Sequence, residues 1–252
     1  MDDLERIREL YGTRRPDPQA QGRVWRRVTG RRRRSRLSWL MIPAVAAAVA
    51  LAFVVLHEPP VSGRSVLLAA ATSAASVPGA EGTYWHIKKV RNGSEVTELW
   101  VARDGRAWTS DGERVSPVTG RSPFSMAGRD LTFEQIQGLP ADPAALKERV
   151  AAMLPSNTPG LLADALSGLL WTKPSPPAVR AAAYRVLAEL PEVRYLGESP
   201  PGEAFSYVLA NGNRRTLVID AETSQVLSST DSGPSPRTER VIEAGWTDRG
   251  PR

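Results

Sequence analysis

Three kinds of hydrophobic pattern follow one another along the chain. Residues 37–56 (LSWLMIPAVAAAVALAFVVL) form an unbroken apolar run with no charged side chain. As a helix rising roughly 1.5 Å per residue, this run would reach about 30 Å, the thickness of a hydrocarbon core. A helix satisfies its own backbone hydrogen bonds where there is no water, so the run predicts one membrane span. After it the apolar period changes to two, then to 3.6, then back to two. That order predicts strands, then helices, then strands.

The spacer from His57 to Gly63 carries Pro59-Pro60, and Val66 to Ala75 reads as an Ala-rich helix ended by Val77-Pro78-Gly79. Thr83 to Val90 and Val96 to Ala102 flank Asn92-Gly93. A type I′ hairpin turn selects that pair because both central residues need positive φ. Asp104-Gly105 turns the chain into a third strand, giving a three-stranded meander with Trp85, Trp100 and Trp108 as its large side chains. Gly112 to Arg129, rich in Ser, Pro and Gly, reads as loop. Thr132 and Gln135 have capping-box spacing, and Asp142-Pro143 is an N-cap followed by proline at the first helical position.

Three helical stripes follow. Leu146, Val150, Met153 and Leu154 form one, and Leu162, Ala165, Leu166, Leu169 and Leu170 form the next behind Pro159. The third, behind Pro176-Pro177, has Val179, Ala183, Val186, Leu187 and Leu190 inward and Arg180, Arg185 and Glu189 outward. Each stripe predicts core, with a greasy cavity facing the sheet as the alternative. Strands return at Val193 to Gly197, around Phe205, Tyr207 and Leu209, at Thr216 to Ile219, at Gln225 to Ser229 and at Arg240 to Trp246, with Asn211-Gly212 as another hairpin turn. The fold class that follows is α+β, an antiparallel sheet packed with helices.

Charge assigns an orientation to the span. Residues 1–36 hold twelve Arg against five Asp and Glu, a net of +7 in a chain whose total is +6, so the rest sums to −1. The positive-inside rule then predicts a cytoplasmic N-terminus. Arg31, Arg32, Arg33, Arg34 and Arg36 are the topology signal and the expected contacts for anionic lipid headgroups, worth about 1 kcal/mol each near a membrane. The segment before the run is too long for an ordinary signal-peptide n-region, and Leu56-His57-Glu58-Pro59-Pro60 offers no small-x-small cleavage site. The run therefore reads as an uncleaved signal-anchor. The expected organisation is a cytoplasmic basic tail at 1–36, a transmembrane helix at 37–56, a linker at 57–64 and an extracytoplasmic α+β domain at 65–252. In the tail, Val24, Trp25 and Val28 are apolar among arginines and are the candidate contacts for a cytoplasmic partner or the inner leaflet. The alternative is a disordered tail that only sets topology.

The positive net charge invites a nucleic-acid reading, but the excess sits beside the apolar run and the rest is nearly neutral, so no direct nucleic-acid contact is expected. Cysteine is absent. That excludes disulfides, thiol catalysis, thiolate zinc sites and iron–sulfur clusters. His57 and His86 are the only histidines, too few for a usual metal cluster, and each is expected as a surface or packed residue. The sequence holds no G-x-S-x-G, no P-loop and no G-x-G-x-x-G after a strand. A carboxylate pair such as Asp104 with Glu98 or Asp111 cannot be told from solvated charge. Asn92-Gly93-Ser94 matches the glycosylation acceptor pattern but is better explained as the hairpin turn. The expectation is a protein that is not an enzyme and uses no cofactor.

Several short pieces resemble a family of uncharacterised single-pass membrane proteins of high-GC Gram-positive bacteria, encoded beside extracytoplasmic-function sigma factors. They are Tyr84-Trp85-His86, Leu99-Trp100, Asp104-Gly105, Leu131-Thr132-Phe133, Leu139-Pro140-Ala141-Asp142-Pro143, Pro176-Pro177-Ala178-Val179-Arg180-Ala181-Ala182, Leu217-Val218-Ile219-Asp220 and Ala244-Gly245-Trp246-Thr247-Asp248. One departure is the turn after Asp220, which reads Ala221-Glu222-Thr223-Ser224 where the family pattern has a proline and a glycine. The resemblance implies a sigma-factor-linked membrane protein and brings no established activity. At the level of fold, strands–helices–strands is similar to the half-barrel of periplasmic lipoprotein carriers and of anti-sigma regulators built on it.

Two functions fit these expectations. One is a membrane-bound regulator whose external domain senses or binds a ligand and whose tail touches a cytoplasmic sigma factor. The other is a membrane-tethered module that binds a lipid or lipoprotein beneath its apolar helices.

Overall fold

A computed structural model describes residues 62–79, 81–156, 158 and 160–251. The expected tail, span and most of the linker lie outside the described residues, and with them Val24, Trp25, Val28 and Arg31 to Arg36. Among the described residues no helix is long and apolar enough to cross a membrane.

The first described element is helix α1, Gly63–Ser76, which starts inside the expected linker. Ser62 caps it, its hydroxyl accepting from the Ser65 amide at 3.1 Å. Strands β1 (Tyr84–Arg91), β2 (Glu95–Ala102), β3 (Ala107–Ser110) and β4 (Val115–Pro117) follow as an antiparallel meander. Asn92 and Gly93 both have positive φ, 48° and 85°, as the hairpin signal requires. Gly112 to Arg129 is not all loop. It holds β4 and β5 (Phe124–Met126), and β5 pairs only with β6 (Arg129–Leu131). Strands of three residues carry too few positions for alternation to show against turn residues.

The helical region then unfolds as its caps predict. Helix α2 (Phe133–Gln137) opens with the Thr132–Gln135 capping box, and α3 (Pro143–Met153) opens with Asp142 accepting from the Ala145 amide at 2.9 Å. Helix α4 (Leu161–Trp171) starts behind Gly160 at φ 85°, where a Cβ would run into the Val208 carbonyl. Helix α5 (Pro177–Leu187) packs against α1, α3 and α4. Its expected outward face is not all outward. Arg180 is buried, donating from Nη2 to the Ser224 carbonyl at 2.6 Å, because α5 has neighbours on most of its circumference.

Strands β7 (Arg194–Ser199), β8 (Gly202–Val208), β9 (Arg214–Asp220), β10 (Gln225–Asp231) and β11 (Arg237–Thr247) form a second meander. Pairing of β1 with β11 joins the two into one nine-stranded sheet, ordered β4-β3-β2-β1-β11-β10-β9-β8-β7, with every neighbour antiparallel. The fold is α+β. One apolar cluster joins Trp85, Ile87, Val101, Phe205, Leu217, Ile219 and Val226 of the sheet to α1, α3, α4 and α5. Alternate positions face the other way. Trp100 stacks on His86 there at 4.8 Å, so the three tryptophans of the first meander divide between two faces.

Candidate functional site

The helix-facing side of the sheet changes character along its strands. On β1 the alternating positions read Trp85, Ile87, Lys89, Arg91, and on β11 they read Arg237, Glu239, Val241, Ala244 across a register shift. On β9 they read Arg215, Leu217, Ile219, and on β10 Val226, Ser229, Asp231 across a second shift. Antiparallel pairing aligns the charged ends: Arg91 with Glu239, Asp231 with Arg237, and Asp231 with Arg215. The apolar ends meet in the core, and the charged ends gather at one end of the sheet.

Two further segments close over that end. One is the C-terminal end of α4 with Trp171, Thr172 and Lys173, and the other is Pro123 to Ser125. Helix α4 is held to the sheet by Ser167 Oγ and Tyr207 Oη, which share a buried hydrogen bond of 2.6 Å. The chain beyond α4 is held by Gln137, whose Nε2 donates to the Pro174 carbonyl. Between these walls lies a hollow of about 260 Å³. Lys89, Pro123, Ser125 and Thr172 also line a neighbouring hollow of about 580 Å³ along β1, β2 and β3, so the two form one cleft.

Its charges are unevenly paired. Arg215 grips Asp231 with two parallel bonds, Nε to Oδ1 at 2.6 Å and Nη2 to Oδ2 at 2.7 Å, and donates from Nη1 to Asp164. Burial works against the Arg215 cation, but these partners outweigh it and raise its pKa. Asp164 gets only one of the bonds, and burial pushes its carboxyl up despite Arg215 and Lys173. The two directions agree once Asp231 is taken as the principal partner. Glu239 receives three cations. Lys89 Nζ lies 3.2 Å from it, Arg91 Nε 3.5 Å, and Arg237 donates from Nη2. Burial raises the Glu239 carboxyl, and the Arg237 bond with the Lys89 charge more than offsets this, holding it low. Lys89 is itself lowered by burial, and its ammonium lies 5.3 Å from the centre of the Trp171 ring.

Lys173 differs from all of these. It is 5% exposed. Among the described residues its ammonium has no carboxylate within ion-pair distance and one hydrogen bond, to Thr172 Oγ1 at 3.3 Å. Burial pushes its pKa from the ordinary 10.5 down to about 8, with the Asp164 charge opposing. Two buried donors of the cleft make no hydrogen bond among the described residues: Thr97 Oγ1, and Arg91 Nε with only its 3.5 Å ion pair to Glu239.

Of the titratable residues singled out from sequence, Glu98 and Asp111 both line the larger hollow, Asp104 does not, and each is engaged by other groups. Glu98 bonds His86 at 2.9 Å and Lys88 at 3.1 Å, Asp104 bonds Arg106, and Asp111 accepts from the Glu113 and Arg114 amides. His86 is a packed residue, as expected. Among the described residues no three His, Asp or Glu side chains are placed to hold a metal. The charged residues of the smaller hollow went unnoticed in the sequence, although the signal was there: strands whose inward positions end in charge at alternating termini. Space beneath the apolar stripes is scarce. The hollow bounded by Leu170, Tyr184, Leu187 and Phe205 measures about 10 Å³, room for one water at most.

Comparison with protein-family models finds no match, and comparison with curated proteins finds none.

Proposed function

We propose that the chain is a single-pass membrane protein whose C-terminal domain lies outside the cytoplasm and binds or senses a small polar ligand, in a signalling role linked to a sigma factor. The observation that carries the binding part is buried Lys173 in the cleft. An ammonium taken out of water without a counter-charge costs several kcal/mol, and an apolar side chain of that volume would serve stability better. The span, the orientation and the tail follow from the 37–56 run and the arginines before it. Val24, Trp25 and Val28 are then the contacts for the sigma factor. We take the nine-stranded sheet to curl around the helices as a half-barrel, a reading supported by its inner positions sharing one cluster with four helices. A lipid- or lipoprotein-binding module would place its ligand beneath α4 and α5, where the small free volume favours the polar cleft instead.

The test is a mild-detergent pull-down of the full-length chain against a version lacking residues 2–28, with Arg31 to Arg36 kept in both. A sigma factor recovered with the full chain and lost with the tail is the expected result. The same cells, left intact and treated with protease from outside, should lose the C-terminal domain. No tail-dependent partner would remove the sigma-factor link, and a protected domain would remove the orientation.

A further inference from the structure

The cleft has the makings of an oxyanion site, and its chemistry narrows the ligand. Its smaller hollow is lined by four cations, Lys89, Lys173, Arg215 and Arg237, against two carboxylates, Asp231 and Glu239. Asp164, behind Arg215, takes up part of the excess. Among the described residues one to two positive charges are left without a counter-charge. The paired groups also divide by wall. The Arg215 side is saturated by its two carboxylates, whereas the Glu239 side crowds Lys89, Arg91 and Arg237 onto one carboxylate. Arg91 reaches a second, Glu95, only at 3.9 Å and in the exposed margin. The far part of the cleft adds no positive excess, since Arg114 and Arg121 there share the lining with Glu98, Asp111 and Asp130.

Lys173 comes from the segment just past the end of α4, while Lys89 and Arg237 come from the sheet, so the donors approach from opposite walls. A tetrahedral phosphoryl group offers three acceptor oxygens and one to two charges, which suits donors arriving from several directions better than a planar carboxylate does. A hollow of about 260 Å³ lies at the small end of ligand pockets and matches a headgroup-sized molecule.

We infer that the cleft binds a small phosphate monoester, held between Lys173 on the helical wall and Lys89 with Arg237 on the sheet. The site deepens the ligand-binding reading above and is independent of the membrane and sigma-factor parts. The ester is either a soluble metabolite or a lipid headgroup, and both present the same phosphoryl chemistry.

The experiment titrates the full-length chain, in an uncharged detergent at pH 7, by calorimetry. The probes are glycerol 3-phosphate as the soluble source, dodecyl phosphate as the headgroup source and succinate as a dicarboxylate. Saturable binding of either phosphate is expected, weakened roughly ten-fold or more by Lys173→Met and by Arg237→Gln. Arg240→Gln removes the same charge from an exposed position on β11 and should leave binding unchanged. Glycerol 3-phosphate binding assigns a soluble ligand, and dodecyl phosphate binding alone assigns a headgroup. Binding of neither phosphate, equal binding by the Lys173→Met variant, or succinate binding as tight as phosphate overturns the inference. Each of these can occur whatever the pull-down and protease results, so the two readings fail separately.

Discussion

The ammonium of Lys173 rests against Gly168: a Cβ built on that glycine would stand 2.7 Å from Nζ. Gly168 lies within α4 and its carbonyl accepts from both the Thr172 amide and the Thr172 hydroxyl. The helix end thus brings partial negative charge to the lysine without a full counter-ion. Gly168→Ala should drive the amine out of its place. The displaced atom is the tip of a flexible chain, and alanine favours the helix by about 1 kcal/mol. We expect stability in urea unfolding to hold or rise by up to that amount, while glycerol 3-phosphate binding weakens. Loss of stability without loss of binding would mean that Gly168 serves packing only.

Lys173 should make the protein more stable as pH rises. Its folded pKa, about 8, lies below the unfolded 10.5, so between these values the unfolded chain holds the extra proton and stability increases with pH. The groups around it are Asp164 on α4, Lys89 on β1, Arg215 on β9, Asp231 on β10, and Arg237 with Glu239 on β11. Lys89, lowered by burial, adds a rise of the same sign. Tyr184 and Tyr207, raised by burial, act oppositely once tyrosine ionises in the unfolded chain, so the window to read is roughly pH 8 to 9.5. Lys173→Met should be more stable than the parent at pH 7, by up to about 3 kcal/mol, and the gap should narrow across that window. Urea unfolding at pH 7, 8 and 9.5 measures it. A parallel pair of curves would place Lys173 in water.

Arg215 binds two acidic side chains at once, and its loss strands both. Arg215→Met should destabilise the domain by about 2–3 kcal/mol at pH 7, a figure kept low because the site is not fully dry. The deficit should shrink near pH 4, as Asp164, raised by burial, takes up a proton. Thermal unfolding at the two pH values gives the comparison, and an equal deficit at both would point to lost packing instead.

The turn between β9 and β10 ends in Ser224 at φ 57°, a left-handed conformation that suits glycine. Its carbonyl accepts from Arg180 Nη2 and, at 3.0 Å, from the Tyr184 hydroxyl. Ser224→Gly should keep both bonds and relieve the backbone, giving a change between zero and about 1 kcal/mol of added stability. Tyr184→Phe should cost about 1 kcal/mol, one buried hydrogen bond. Chemical denaturation of both variants decides, and a destabilised Ser224→Gly would show that the weak Ser224 Oγ contact with Arg180, 3.3 Å, matters more than the backbone.

Local signals accounted for much of the fold. Asn92-Gly93, the Thr132–Gln135 box and Asp142-Pro143 act within a few residues, so their structures could be read from the order of side chains alone. The same holds for the 3.6-residue stripes of α3, α4 and α5, whose periodicity needs no knowledge of the partner surface.

Long-range pairing was beyond such signals. That β1 pairs with β11, joining the two meanders into one sheet, depends on contacts between residues far apart in the chain. So does the burial of Arg180, which a helical wheel assigns to solvent until α5 is enclosed by other helices and the β9–β10 turn. The cleft is the clearest case. Each strand carries its charged inward positions openly in the sequence, as ordinary chain-end polarity. Only antiparallel register brings those ends together, and only the placement of α4 sets Lys173 above them without a counter-charge. Secondary structure is written in nearest neighbours, but electrostatic pairing is set by distances across the fold, and tertiary structure alone decides which charges find partners.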